Sequence, residues 1–154
     1  MATPPVTGPP IRRSAPLLDH LGRLMRLRGE SVLAPLGLRP RHLVTLTMLR
    51  EGGDCTQQAL ATRLAMDGTN LVGLLNELES LDLIERKRSP EDRRRHVVAM
   101  TAVGAELLTK AELALTAVED EILAALDAGQ RETLYALLQL ATSKLCPPSP
   151  CGEC

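Results

Sequence analysis

The chain has 154 residues, 44% of them hydrophobic and 24% charged, which suits one soluble globular unit, or one compact unit carrying an oligomerisation element. Tyr135 is the single aromatic residue, with no Phe and no Trp, so the core must be aliphatic; partners gripped by aromatic stacking, such as single strands and RNA loops, are disfavoured, whereas duplex DNA is not. The formal net charge of -1 hides an asymmetry: residues 1–50 carry +6, residues 51–100 carry −2 and residues 101–154 carry −5, so a local basic surface for an anionic partner is compatible with the near-neutral total.

The opening MATPPVTGPP is Pro-rich, and residues 1–13 read as a disordered arm. It lacks the apolar centre of a secretory signal, and no stretch approaches the ~20 apolar residues that span a bilayer, so a cytoplasmic chain with reduced cysteines is expected. A first helix is expected from Ser14 to about Leu33, with Leu17, Leu21, Leu24 and Arg28 on one stripe and Leu18 and Met25 beside it. Pro35 and Gly37 end it. Pro40 opens a second helix that stops at Gly52-Gly53. A very short strand fits Asp54-Cys55, and Thr56 caps a third helix, TQQALATRLA. AMDG is a tight turn. Asp67 or Thr69 caps a fourth helix running to about Leu81, in which Leu71, Leu74, Leu75 and Leu78 form one apolar face.

Leu83 to Arg88 reads as a strand, Ser89 to about Arg94 as a hairpin tip, and His96 to Thr101 as the returning strand. Thr101 is placed to cap a fifth helix, where Ala105, Leu108, Ala111, Leu115, Val118 and Ile122 recur at three- and four-residue steps. Asp127-x-x-Gln130 resembles a capping box for a sixth helix, whose apolar face is Leu134, Leu137, Leu138, Ala141 and Leu145. The expected fold class is mainly α with a small β-wing, a winged helix-turn-helix plus a helical dimerisation region built from both chain ends. The segments are an arm at 1–13, a dimerisation helix at 14–37, a DNA-binding unit at 38–101, dimerisation helices at 102–145 and a Cys/Pro-rich tail at 146–154.

The chemistry follows from that order. The fourth helix is long enough to lie in a major groove with its leucines turned to the protein. Its other face is short and polar, with Thr69, Asn70, Gly73 and Asn76; small residues permit close approach, and asparagine pairs with adenine. The third helix begins with Thr56 and Gln57 beside it. The run Arg93-Arg94-Arg95 at the hairpin tip, with Arg86 on the strand before it, supplies cations for phosphates or for a narrow minor groove. Basic runs are common on solvated surfaces, and the strand-turn-strand context after a helix pair is what favours DNA.

The stretch MDGTNLVGLLNELESLDLIERKRSPEDRRRHVVAMTAVG, from Met66, resembles the MarR family of bacterial transcription regulators. The resemblance covers about residues 15–145, and its most specific part is Asp92-x-Arg94 followed by alternating apolar residues and Thr101. It implies that Arg94 enters the minor groove and that Asp92 orients the wing. It also implies a homodimer with intertwined terminal helices, and a hydrophobic effector cleft beside the DNA-reading unit. Asp82 stands where that family usually has glycine; aspartate tolerates the left-handed backbone better than most residues. Met100 replaces a usual leucine, a change that conserves volume.

The leucine series of the first, fifth and sixth helices exceeds what a ~65-residue winged helix covers, and leftover apolar surface of that size points to a two-fold partner. Two recognition helices one DNA turn apart would then read a pseudo-palindromic operator. Leu21, Met25, His42 and Leu46 are the candidate effector-pocket residues, for a small apolar or anionic ligand. Lone histidines are more often ordinary polar residues than ligands. Cys146, Cys151 and Cys154 in CPPSPCGEC are weak metal or thiol-sensor candidates, since C-x4-C-x2-C lacks a fourth ligand unless Cys55 or a histidine supplies it. No cofactor is expected. An enzyme is disfavoured because no nucleophile-base motif, glycine-rich phosphate loop or helical metal-ligand pair is present. The expected function is a DNA-binding repressor released by a ligand. The alternatives are a thiol- or metal-responsive regulator on the same scaffold, and a dimeric interaction protein that does not bind DNA.

Overall fold

A computed structural model describes residues 12–143. Helices α1 (Ala15–Leu33) and α2 (Pro40–Gly52) flank a 3-10 turn at Ala34–Leu36; strand β1 (Cys55–Thr56) leads into α3 (Gln57–Arg63) and α4 (Gly68–Ser80). Strands β2 (Ile84–Arg88) and β3 (His96–Met100) form the hairpin, and α5 (Ala102–Ile122) and α6 (Ala128–Thr142) complete the described chain. The sheet is antiparallel in the order β1-β3-β2. The first strand lies at Cys55–Thr56 and not at Asp54-Cys55, because its pairing is set by Val98 and Val97 of β3.

Local side-chain chemistry fixes most boundaries. Thr56, Asp67, Thr101 and Asp127 each stand at a helix start in extended backbone and accept the N–H three residues on, at 3.2, 2.9, 2.9 and 2.9 Å respectively. Gln130 returns the bond to the Asp127 N–H at 3.0 Å, closing the capping box. Asp82 adopts φ 59°, the left-handed conformation that its place after α4 demands. Ala65, between α3 and α4, also takes a left-handed φ of 49°, which nothing in AMDG announces.

The core is aliphatic throughout. Leu46, Leu60, Leu71, Leu75, Leu78, Leu83, Ile84, Val98 and Leu108 are sealed from water between α2, α3, α4, the sheet and α5, and each such side chain contributes about 1.5–3 kcal/mol by burial. The first helix leaves part of its apolar stripe uncovered. Leu17 and Leu18 are exposed, and burial falls on Gly29 and Leu33 at its C-terminal half. There the Gly29 backbone lies so close to α5 that an added Cβ would stand 3.3 Å from Leu115 Cδ2. Arg28 pairs with Glu121 across the same contact at 3.3 Å, and Arg50 ties α2 to Glu112 of α5 at 2.7 Å. Helix α6 has no buried residue among those described, although Leu137, Leu138 and Leu140 are apolar. Leu145 lies outside the described residues.

Candidate nucleic-acid interface

Helix α4 is held by one face. Leu71, Leu74, Leu75 and Leu78 are buried, which leaves Thr69, Asn70, Gly73 and Asn76 exposed on the outside. Asn70 is partly engaged at home, because its side-chain amide and its backbone N–H both bond the Asp67 carboxylate. That backbone bond is the main reason the Asp67 carboxyl sits below the usual aspartate range, with the Asn70 amide adding to it. Thr56 and Gln57 are half-buried at the start of α3, with the Thr56 hydroxyl oxygen accepting from the Ala59 N–H.

The wing tip is shaped by two side chains. Ser89 Oγ accepts the N–H groups of Glu91 and Asp92 at 3.2 and 3.4 Å, while the Ser89 N–H closes on the Arg95 carbonyl at 2.8 Å. Asp92 Oδ1 accepts the Arg94 N–H at 3.0 Å, and its carbonyl accepts the Arg95 N–H at 2.9 Å. Asp92 thus bends the backbone that carries all three arginines. Arg95 reaches the Asp92 carboxylate only at 3.8 Å, and both groups are well exposed, so this pair holds little. Arg93 and Arg94 are exposed and form no ion pair among the described residues. Lys87 pairs with Asp54 at 2.8 Å, fastening β2 to the approach of β1; that bond raises the Lys87 ammonium above its ordinary value. Arg86 turns the other way, back onto α4, where it bonds Asn76 and Glu79.

On the opposite flank of α4 a cluster appears that the sequence did not announce. His42 is buried, and its Nδ1 accepts the Arg39 N–H at 3.3 Å. The proton is therefore on Nε2, which donates to Glu77 Oε2 at 3.0 Å. Arg39 also bonds that carboxylate oxygen. The start of α2 is thereby pinned to α4. The His42 bond first, and the Arg39 bond next, hold the Glu77 carboxyl below its ordinary value of 4.5. Arg50 does the same to Glu112. Both carboxyls have lowered folded-state values, so their stabilisation is complete above about pH 4.5 and is lost as pH falls through those lowered values. Glu77→Gln is accordingly expected to flatten the decline of stability below pH 4.5 and to leave its slope near neutrality unchanged, as followed by denaturant melts across pH. Beside the cluster runs an open groove of about 490 Å³ lined by Arg39, Pro40, Arg41, Thr69, Asn70 and Gly73, among others.

The four candidate effector residues do not share a cavity. Leu46 is sealed in the core, and both ring nitrogens of His42 are committed to Arg39 and Glu77. Met25 lines an apolar cleft of about 340 Å³ with Gly29, Leu33, Pro40 and Leu115. Leu21 and Met25 together border a smaller one, of about 130 Å³, against α6. Side-chain burial decides this; hydrophobic periodicity marks Leu46 as apolar without saying that no solvent reaches it. Cys146, Cys151 and Cys154 lie outside the described residues. Among the described residues there is no cluster of three or more metal-ligating side chains, and no helix is long and apolar enough to cross a membrane.

Residues 36–95 match the model of the MarR family. The chain is 33% identical over 111 residues to a protein of Thauera aromatica named for transcriptional regulation of the hcr operon, covering 72% of this chain and 67% of that protein. It is 27% identical over 126 residues to the HTH-type transcriptional repressor NicR of Pseudomonas putida, covering 79% of this chain and 80% of the repressor. In three dimensions it is similar to the Mycobacterium tuberculosis MarR-family protein Rv2887 in its complex with DNA, at a TM-score of 0.72 and 25% identity, over 84% of this chain and 98% of that one. The winged helix, its hairpin and the relatives that carry both agree: this chain belongs to the MarR family of transcription regulators.

Proposed function

We propose that the chain is a homodimeric repressor that binds duplex DNA, with α4 in the major groove and the wing arginines on the adjoining minor groove and phosphates. The observation that carries this reading is the wing tip itself. A chain with more acidic than basic groups leaves Arg93 and Arg94 exposed and without an ion pair among the described residues, on a backbone that Asp92 holds in place. An arginine cluster kept from its own chain's carboxylates is poised for an external anion. The relatives named as a repressor and seen in complex with DNA support the same reading.

Arg94→Ala is expected to cost on the order of 1–3 kcal/mol of operator affinity. Titrations of a selected duplex at fixed salt measure it directly; unchanged binding removes the wing from the mechanism. The wild-type chain should also lose affinity steeply as salt rises, and a duplex affinity that is weak and indifferent to salt would mark an interaction protein instead. Release by a small molecule fits the apolar cleft bordered by Met25, Gly29, Leu33 and Leu115, since it lies where α1 and α5 meet the start of α2. A ligand there acts only if it prefers the DNA-incompetent spacing of the two heads.

A further inference from the structure

A helix with its side chains is about 10–12 Å across, and the major groove of a duplex is about 12 Å wide. A helix lying there fills the groove, so one sugar-phosphate strand runs along each of its flanks. On one flank of α4 stands the wing, tied to it where Arg86 bonds Asn76 and Glu79. On the other stands the start of α2, tied to it where Arg39 and His42 bond Glu77. The open groove of about 490 Å³ lies on this second flank, with Arg39 and Arg41 of the α2 start on one side and Asn70, Gly73 and Glu77 of α4 on the other.

The charges of that groove are unequal. Glu77 is the single carboxylate among its lining residues, and it already accepts from His42 and Arg39. The His42 ring is neutral, because its Nδ1 accepts the Arg39 N–H. Arg39 and Glu77 therefore offset each other, and the charge left over is that of Arg41. Arg41 is exposed, and its side chain forms no ion pair or hydrogen bond among the described residues. Its backbone is nonetheless fixed. The Arg41 carbonyl accepts the hydroxyl of buried Thr45 at 2.8 Å, and His42, next along the chain, is buried in the clamp to α4. An unpaired cation is thus held at a set offset from α4, on the flank that the wing does not reach.

We infer that Arg41 is a second phosphate anchor, holding the strand on the flank of α4 away from the wing, so that each head grips both strands that border the major groove. A single guanidinium on a phosphate adds affinity and fixes register without reading sequence. The Arg39–Glu77 pair has a matching role there, since an unpaired carboxylate on that flank would repel the same strand. This rests on the duplex-DNA reading above and adds to it the contact on the second strand.

The test uses the full chain and the duplex that wild type selects from a random pool. Affinities are measured at several salt concentrations, and phosphate-ethylation interference maps the contacted strand positions. Wild type, Arg41→Gln, Arg41→Lys and Arg94→Ala are compared, with thermal melts to establish that each is folded. Arg41→Gln should lower affinity on the order of 10-fold and reduce the salt slope by about one per head, with base preferences unmoved. Ethylation on the strand flanking α4 away from the wing should then cease to interfere, while the wing-side positions still do; Arg94→Ala should leave those far-flank positions intact. Arg41→Lys keeps the charge and should keep the slope. The inference fails if Arg41→Gln leaves slope and interference pattern as in wild type, or if the slope falls with every interfering phosphate still in place, which marks a general charge effect. It fails also if Arg41→Gln shifts base preferences, since Arg41 would then read base edges, or if Arg41→Lys loses as much slope as Arg41→Gln. A wild-type chain that selects no duplex overturns the DNA reading itself, which separates that failure from the others.

Discussion

With Leu137 and Leu140 both replaced by glutamate, the chain should sediment as a monomer and lose roughly 10²- to 10⁴-fold in affinity for a duplex bearing two half-sites. The reason lies in what α6 leaves uncovered. Leu137 is 59% exposed, Leu140 69% and Tyr135 61%, and Leu17 and Leu27 of α1 add to the same excess. Apolar groups in such number on two terminal helices are the mark of a surface meant for a partner, and a second copy is the economical one. Two carboxylates placed in that contact must be desolvated without counter-charges, which no apolar interface tolerates. Once the copies part, the second reading head is no longer delivered at high effective concentration, while each separate head keeps its own α4 and wing. Affinity for an isolated half-site should accordingly change little. Analytical ultracentrifugation and titrations of one- and two-site duplexes measure both effects. A double variant that remains dimeric and binds as before would remove α6 from the assembly.

Gly104→Ala should destabilise the fold by about 3 kcal/mol, read as a shift in the denaturant midpoint at constant slope. On helix propensity alone the sign would be opposite, since alanine inside a helix is favoured over glycine by about 1 kcal/mol. Here the first turn of α5 packs too closely on Leu83, the residue just before β2, and on Met100. A Cβ at Gly104 would stand 2.2 Å from the Leu83 carbonyl oxygen and 3.0 Å from Met100 Cγ. The carbonyl cannot give way cheaply, because it accepts the Thr101 N–H at 3.1 Å. Thr101 Oγ1 in turn donates to the Asp82 carbonyl at 2.6 Å and accepts the Gly104 N–H at 2.9 Å. Asp82, with its left-handed backbone, is thus clasped by the residue that caps α5. One added methyl group would disturb the junction where the sheet and the end of the wing meet α5. A Gly104→Ala chain as stable as wild type would show that the crossing has room.

The boundaries of α3, α4, α5 and α6 were legible because they are local. Thr56, Asp67, Thr101 and Asp127 act on N–H groups three residues away, a distance that the chain itself enforces. The hairpin was legible for the same reason, with alternating residues on both sides of a turn. Ala65 was not, because its left-handed backbone answers to the packing of α3 against α4 and not to any preference of alanine. The aliphatic class of the core, the polar outer face of α4 and the basic tip at Arg93–Arg95 also follow from residue type and order alone.

Only the tertiary structure decided which long side chains meet. Arg86 looked like one more cation for phosphate, and it turns inward to Asn76, ten residues back. Glu77 joins Arg39 and His42, 38 and 35 residues away, a meeting that no local pattern announces. His42 and Leu46 read as candidate pocket residues and are buried within the fold. The physical reason is reach. A cap or a turn is settled within four residues of backbone, whereas an arginine or glutamate on a long flexible stem can choose among every element folded within several ångströms of it, and sequence spacing does not record that choice.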